Sequence, residues 1–180
     1  MISDSISRLF AEAGDGGVAK IWHGTTSNAE DICRWEQSNG YLLPNDYKKF
    51  LMAVGRCKLH GRSDHSFAVK FYSLNELALF SERAFGKRMF DGIPSSWYTI
   101  ADAQDGNFVI MDLATVVGDE VNIIDGCSEY APNLAIISRS FDEFLMCSIN
   151  DPNTSSGGGD VQTGARYWSK PGHYYGQTAE

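Results

Sequence analysis

The run Phe108-Val109-Ile110-Met111 is apolar at every position, so a strand laid through it is apolar on both faces. Such a strand needs cover on each side, which calls for a sheet with helices packed around it. The flanking residues agree. Trp97 to Ala101 reads as a strand, Asp102-Ala103-Gln104-Asp105-Gly106 as a polar turn, and Asn107 to Leu113 as the return arm of a hairpin. Gly118-Asp119 then turns the chain into a strand over Val121 to Asp125, and Leu134 to Ile137 is a candidate fourth. Phe67, Val69 and Phe71 alternate with Ala68 and Lys70, the period of a half-buried strand.

The helices announce themselves by spacing and caps. Ile2, Ile6, Leu9, Phe10 and Ala13 recur at helical intervals until Gly14-Asp15-Gly16-Gly17. Ser27-x-x-Glu30 is a capping box for a second helix, with Ala29, Ile32, Cys33 and Glu36 on one face and Asn39-Gly40 as its end. Pro44 opens a third, in which Tyr47, Phe50, Leu51 and Val54 form a bulky apolar face and Gly55 is the stop. Ser73-x-x-Glu76 predicts a helix to about Ala84, and Ser140-x-x-Glu143 predicts one carrying Phe141, Phe144, Leu145 and Ser148.

With 180 residues the chain suits one domain, able to fold on its own core without disulfides or metal. The expected divisions are an N-terminal helix and lead-in over 1–27, a main domain over 28–150, and a Gly/Ser linker with an aromatic tail over 151–180. The start has no basic segment followed by an apolar run, and no stretch is long enough to span a membrane. Cys33, Cys57, Cys127 and Cys147 lie far apart, with no Cys-x-x-Cys pair. Four reduced thiols in the cytoplasm are the expectation.

The formal net charge is -8, which argues against nucleic acid as a direct partner and leaves a basic protein open. The charge is uneven. Leu42 to Arg88 holds nine basic and four acidic residues, whereas Met89 to Ser138 holds eight carboxylates and no Lys or Arg. Asp102, Asp105, Asp119 and Glu120 fall on the turns of that second stretch and are the candidate partner-binding residues.

Catalysis finds no foothold. His60, Asp64 and His65 lack the i, i+4 spacing and adjacent Glu of a zinc-protease helix, so no metal is assigned. Ala101 to Asp112, with Gly106 sixth, fails as a calcium loop, because Ala101 and Ala103 occupy positions that must supply ligand oxygens and Asp112 stands where Glu is required. Neither a nucleophile elbow nor a phosphate-binding loop nor a dinucleotide fingerprint occurs, and no cofactor is expected.

Three segments in order resemble the SUKH superfamily, the Smi/Knr-type family. Leu43-Pro44-Asn45-Asp46-Tyr47-Lys48-Lys49-Phe50-Leu51 is similar to its Leu-Pro-x-x-Tyr-x-x-Phe-Leu signature, with Glu36 matching the acidic residue of the preceding helix. Ile100 to Leu113, with Gly106 and Asp112, resembles its central hairpin, and Ser140-Phe141-Asp142-Glu143-Phe144-Leu145 its terminal helix. The likeness spans roughly residues 28 to 149 and departs at Val54-Gly55-Arg56, where the family often has Asn-Gly. It implies an α+β domain, a mainly antiparallel sheet with helices packed around it, without catalytic residues. It also implies an immunity protein that neutralises a cognate bacterial toxin, such as a basic nuclease, by direct binding in the cytoplasm. The alternative it offers is an intracellular scaffold or regulator with no toxin partner.

Overall fold

The apolar run lies in the middle of the sheet, in β6 (Phe108–Val117), between β5 (Trp97–Ala103) and β7 (Glu120–Gly126). The computed structural model describes residues 1–14, 17–60, 67–86, 90–103, 107–126 and 134–150. Completing the sheet are β1 (Ala19–Ile21), β2 (Cys57–His60), β3 (Phe67–Phe71), β4 (Ala78–Leu79) and β8 (Ile136–Ser140). The order is β1-β2-β3-β5-β6-β7-β8, with β4 on β5 beside the end of β3, and every pairing is antiparallel.

Both faces of β6 are covered, as its sequence demands. Val109, Met111 and Leu113 enter a large core, while Phe108 and Ile110 pack into a smaller one on the opposite face. The large core holds α1 (Ile2–Ala11), α2 (Ala29–Asn39), α3 (Asn45–Ala53) and α5 (Phe141–Asn150). In the smaller, Phe80, Ala84 and Phe85 of α4 (Phe80–Phe85) lie against Trp97, Ile110, Ile124 and Ile136. β1 to β3 contribute Ala19, Cys57, Leu59, Val69 and Phe71 to the large core.

At the centre of the large core Tyr47, Phe50, Phe71, Phe141 and Phe144 form one aromatic cluster, with Phe50 centred 5.0 Å from Phe141 and 5.5 Å from Phe71. Leu43, Pro44, Tyr47, Phe50, Leu51, Phe141, Phe144 and Leu145 are all buried, so the resemblance's motif residues are core residues. Asp112 is buried too, accepting from the Ser96 hydroxyl at 2.7 Å and the Ala114 N–H at 3.1 Å where the β6–β7 register slips. Gly106 lies outside the described residues.

Some local expectations need correction. The second helix is capped by Asn28, whose carboxamide accepts the Asp31 N–H at 2.8 Å, one residue later than Ser27. Ser27 instead donates its N–H to the Leu51 carbonyl at 3.0 Å, tying the lead-in to α3. On α2 only Ile32 is buried, and Cys33 faces solvent. The Ser73–Glu76 box is real, yet it closes a single 3-10 turn (Leu74–Glu76) before the chain extends into β4. α4 starts only at Phe80. Ile2, Leu9 and Ala19 of the first 27 residues lie in the large core. Cys33 and Cys57 are free thiols, while Cys127 and residues 151–180 lie outside the described residues.

Candidate functional site

The turn carboxylates do not form one site. Asp102 belongs to β5 near the turn that leads into β6, whereas Asp119 and Glu120 follow β6 at its far end. The ten residues of β6 span about 30 Å at 3.3 Å per residue. Asp102 is also engaged: Lys70 Nζ lies 3.2 Å away and the Tyr72 hydroxyl donates to the other oxygen. Burial, followed by that hydrogen bond and the Asp102 charge, holds the Tyr72 phenol protonated well above its usual range. Asp105 lies outside the described residues.

Asp119 and Glu120 are exposed, and they cap a denser arrangement beneath. The Asp46 N–H donates to Asp119 at 3.1 Å, and the Asp46 carboxylate accepts from the N–H groups of Tyr47 (2.7 Å) and Asp142 (2.9 Å). Asp142 in turn accepts from the Ser5 hydroxyl. These contacts gather the starting turns of α1, α3 and α5 at one end of the molecule. Helix N-termini carry unsatisfied N–H groups and a partial positive charge, which accounts for Asp46 and Asp142 there. Asp46 is only 3% exposed. Burial pushes its carboxyl up to about 6, against the pull of its two backbone donors, and Asp119 and Asp142 add to the rise.

What reaches solvent at this end is a short negative rim beside apolar surface. Val117, in the same turn as Asp119 and Glu120, is 74% exposed, and Leu42, just before α3, is 66% exposed. Arg139 on β8 donates to Asn122 at 2.9 Å, and the N-terminal ammonium lies 3.4 Å from Asp142. Such a surface can attract a basic partner.

A feature the linear charge count only hinted at lies on the face of β1 to β3 turned away from the large core. Lys20, Lys58 and Lys70 stand directly opposite one another across the three strands, and Lys70 stands opposite Asp102. Trp22 lies under Lys20 and Arg56, with the guanidinium 4.8 Å from its ring centre, and Tyr72 lies under Lys70 and Arg83. Burial alone would raise the Glu76 carboxyl, but the Ser73 N–H and hydroxyl, with Arg56 and Lys70, bring it below its usual value. The excess of basic residues between Leu42 and Arg88 was the available signal, and only the strand register converts part of it into a row.

Among the described residues no three His, Cys, Asp or Glu side chains are grouped to hold a metal, and no helix is long and apolar enough to cross a membrane. No curated protein matches the chain. The family model described as SMI1 / KNR4 family (SUKH-1) matches residues 26–147, from two residues before the Asn28 cap of α2 to within α5. That match covers more than half of the chain and takes in the Leu-Pro helix, the hairpin and most of the terminal helix; the protein belongs to the SMI1/KNR4 family (SUKH-1).

Proposed function

We propose that this chain is an immunity-type binding protein, non-catalytic and cytoplasmic, that neutralises a cognate bacterial toxin by direct contact. The observation that carries the reading is its membership of the SUKH-1 family over residues 26–147. The exposed end around Asp119 and Glu120 supplies the contact surface: two carboxylates in one turn with Val117. Interfaces of this sort join an apolar centre to a charged rim. A basic toxin, for instance a nuclease, is the complementary partner, because opposite charge speeds encounter by orders of magnitude. Of the four turn carboxylates, Asp119 and Glu120 carry this role; Asp102 is occupied by Lys70 and Tyr72.

The test is neutralisation. The toxin encoded beside this chain's gene is purified and its activity measured with and without the full chain. Stoichiometric loss of toxin activity supports the reading. A toxin that stays fully active and forms no complex overturns it and favours a scaffold or regulator.

A further inference from the structure

β1 is the outer strand of the sheet, and its backbone is only partly engaged. His60 donates its N–H to the Val18 carbonyl at 2.7 Å, and Trp22 donates to the Arg56 carbonyl at 3.1 Å. Val18, Lys20 and Trp22 therefore turn their backbone groups toward β2, and strand alternation turns those of Ala19 and Ile21 outward. The Glu12 carbonyl, just past α1, accepts the Ala19 N–H at 3.0 Å. The Ala19 carbonyl and both backbone groups of Ile21 then face outward with no partner among the described residues.

Beyond this edge runs a groove of about 710 Å3, lined by Phe10 of α1 and Ala13 just after it, Ile21 and Trp22, and Ala53 and Val54 at the end of α3. Phe10 is 48% exposed. Side chains on a strand alternate, so Ala19 and Ile21 face the helical layer and Lys20 faces the other way. Lys20 ends the row that continues through Lys58 and Lys70 to Asp102. Like charges directly opposite repel across a sheet. Asp102 relieves the inner end, and among the described residues no carboxylate pairs with Lys20 at the outer end.

We propose that the β1 edge is a docking site for an extended segment of a partner protein with the pattern apolar–acidic–apolar. Such a segment pairs with β1 as a further strand, using the outward groups of Ala19 and Ile21. Its acidic residue lies opposite Lys20 and closes the row of charge, while its two apolar neighbours enter the groove beside Phe10 and Val54. A second copy of this chain fits poorly, because self-pairing about Lys20 sets lysine against lysine, the usual way edge strands avoid one another. The stretch 151–180 fits no better, since none of its carboxylates has apolar residues on both sides. This surface lies at the opposite edge of the sheet from the β7–β8 side and does not depend on the toxin reading.

The probe is a fluorescein-labelled ten-residue peptide with Thr-Val-Glu-Val-Thr at its centre, titrated against the full chain by fluorescence anisotropy. A matched peptide with Lys in place of Glu is the control. The Glu peptide should bind saturably and at least tenfold more tightly than the Lys peptide. Lys20→Glu should invert that preference. Ile21→Pro should abolish binding of both, because it removes an outward N–H that the β1–β2 ladder does not use; an unchanged unfolding transition shows that the variant still folds. Equal affinity for the two peptides, no binding of either, or a preference indifferent to Lys20→Glu would overturn the proposal. Concentration-dependent dimerisation lost in Ile21→Pro would also overturn it, in favour of a second copy.

Discussion

Glu36 near the end of α2 and Lys48 on α3 form an ion pair at 2.7 Å, both largely shielded, and the same Glu36 oxygen accepts the Leu43 N–H at 2.8 Å. One carboxylate thus clamps α2, α3 and the turn between them. Charge-assisted hydrogen bonds of this kind are stronger than neutral ones, and removing one partner leaves the other unsatisfied.

Glu36→Ala should therefore destabilise the fold by roughly 2–4 kcal/mol, because it strands a shielded ammonium and a backbone N–H together. Glu36→Gln keeps an acceptor for Leu43 and should cost clearly less. Urea unfolding of the two variants checks the order; equal losses would assign the effect to packing instead.

Gly55 is needed for its missing side chain. It has a φ of 69°, and a Cβ there would lie 2.2 Å from the Thr25 carbonyl oxygen, backbone against backbone. The close approach is pinned by the Arg56 N–H, which donates to the Thr25 hydroxyl at 2.9 Å. Left-handed strain alone costs a non-glycine residue on the order of 1–3 kcal/mol, and the overlap adds to it. Gly55→Ala should lower the melting temperature markedly, whereas Gly40→Ala, with φ of 75° but open space around it, should cost less.

Asp46 gives the protein a defined acid response. Its carboxyl titrates at about 6 in the folded chain, above roughly 3.9 when unfolded. The folded state holds the proton more tightly, so this group's stabilising contribution is complete below about pH 4 and is lost as pH rises through 6. Two units correspond to something on the order of 2–3 kcal/mol. Denaturant unfolding at pH 7 and pH 5 should show the wild type gaining stability relative to Asp46→Asn as pH falls. A constant difference between the two proteins would remove the titration from Asp46.

The large elements were legible because local signals and long-range packing agree in them. The Leu43-Pro44 start and the Tyr47/Phe50/Leu51 face specify α3 in the sequence and are buried in the structure. The hairpin likewise appears as β5 and β6. Signals failed where two local solutions compete. Ser27 and Asn28 each begin a capping pattern, and Asn28 takes the cap while Ser27 is drawn to the Leu51 carbonyl. The Ser73 box satisfies one turn of 3-10 helix, after which pairing of Ala78 and Leu79 with β5 overrides further helix. β1 and β2, three and four residues long, alternate apolar and polar residues over too short a run to mark a strand, and exist through pairing.

The candidate site was less legible for a related reason. A run of carboxylates in sequence suggests one negative face, but β6 sends its two turns to opposite ends and Asp102 finds Lys70. Conversely, Lys20, Lys58 and Lys70 are remote in sequence and meet only through strand register. Asp46 carries no signal of burial in the sequence, because α5, whose Asp142 N–H bonds its carboxylate, comes from far along the chain.

Association kinetics with the candidate toxin test the proposed binding role most directly. Glu120→Lys combined with Asp119→Asn reverses or removes the exposed rim while leaving the buried Asp46 in place. At low salt this variant should associate at least tenfold more slowly than the wild type, and the gap should narrow as added salt screens the field. Unchanged dissociation and an intact unfolding transition would locate the effect in long-range attraction. An association rate indifferent to both salt and the substitutions would contradict the Asp119–Glu120 end as the toxin-binding surface.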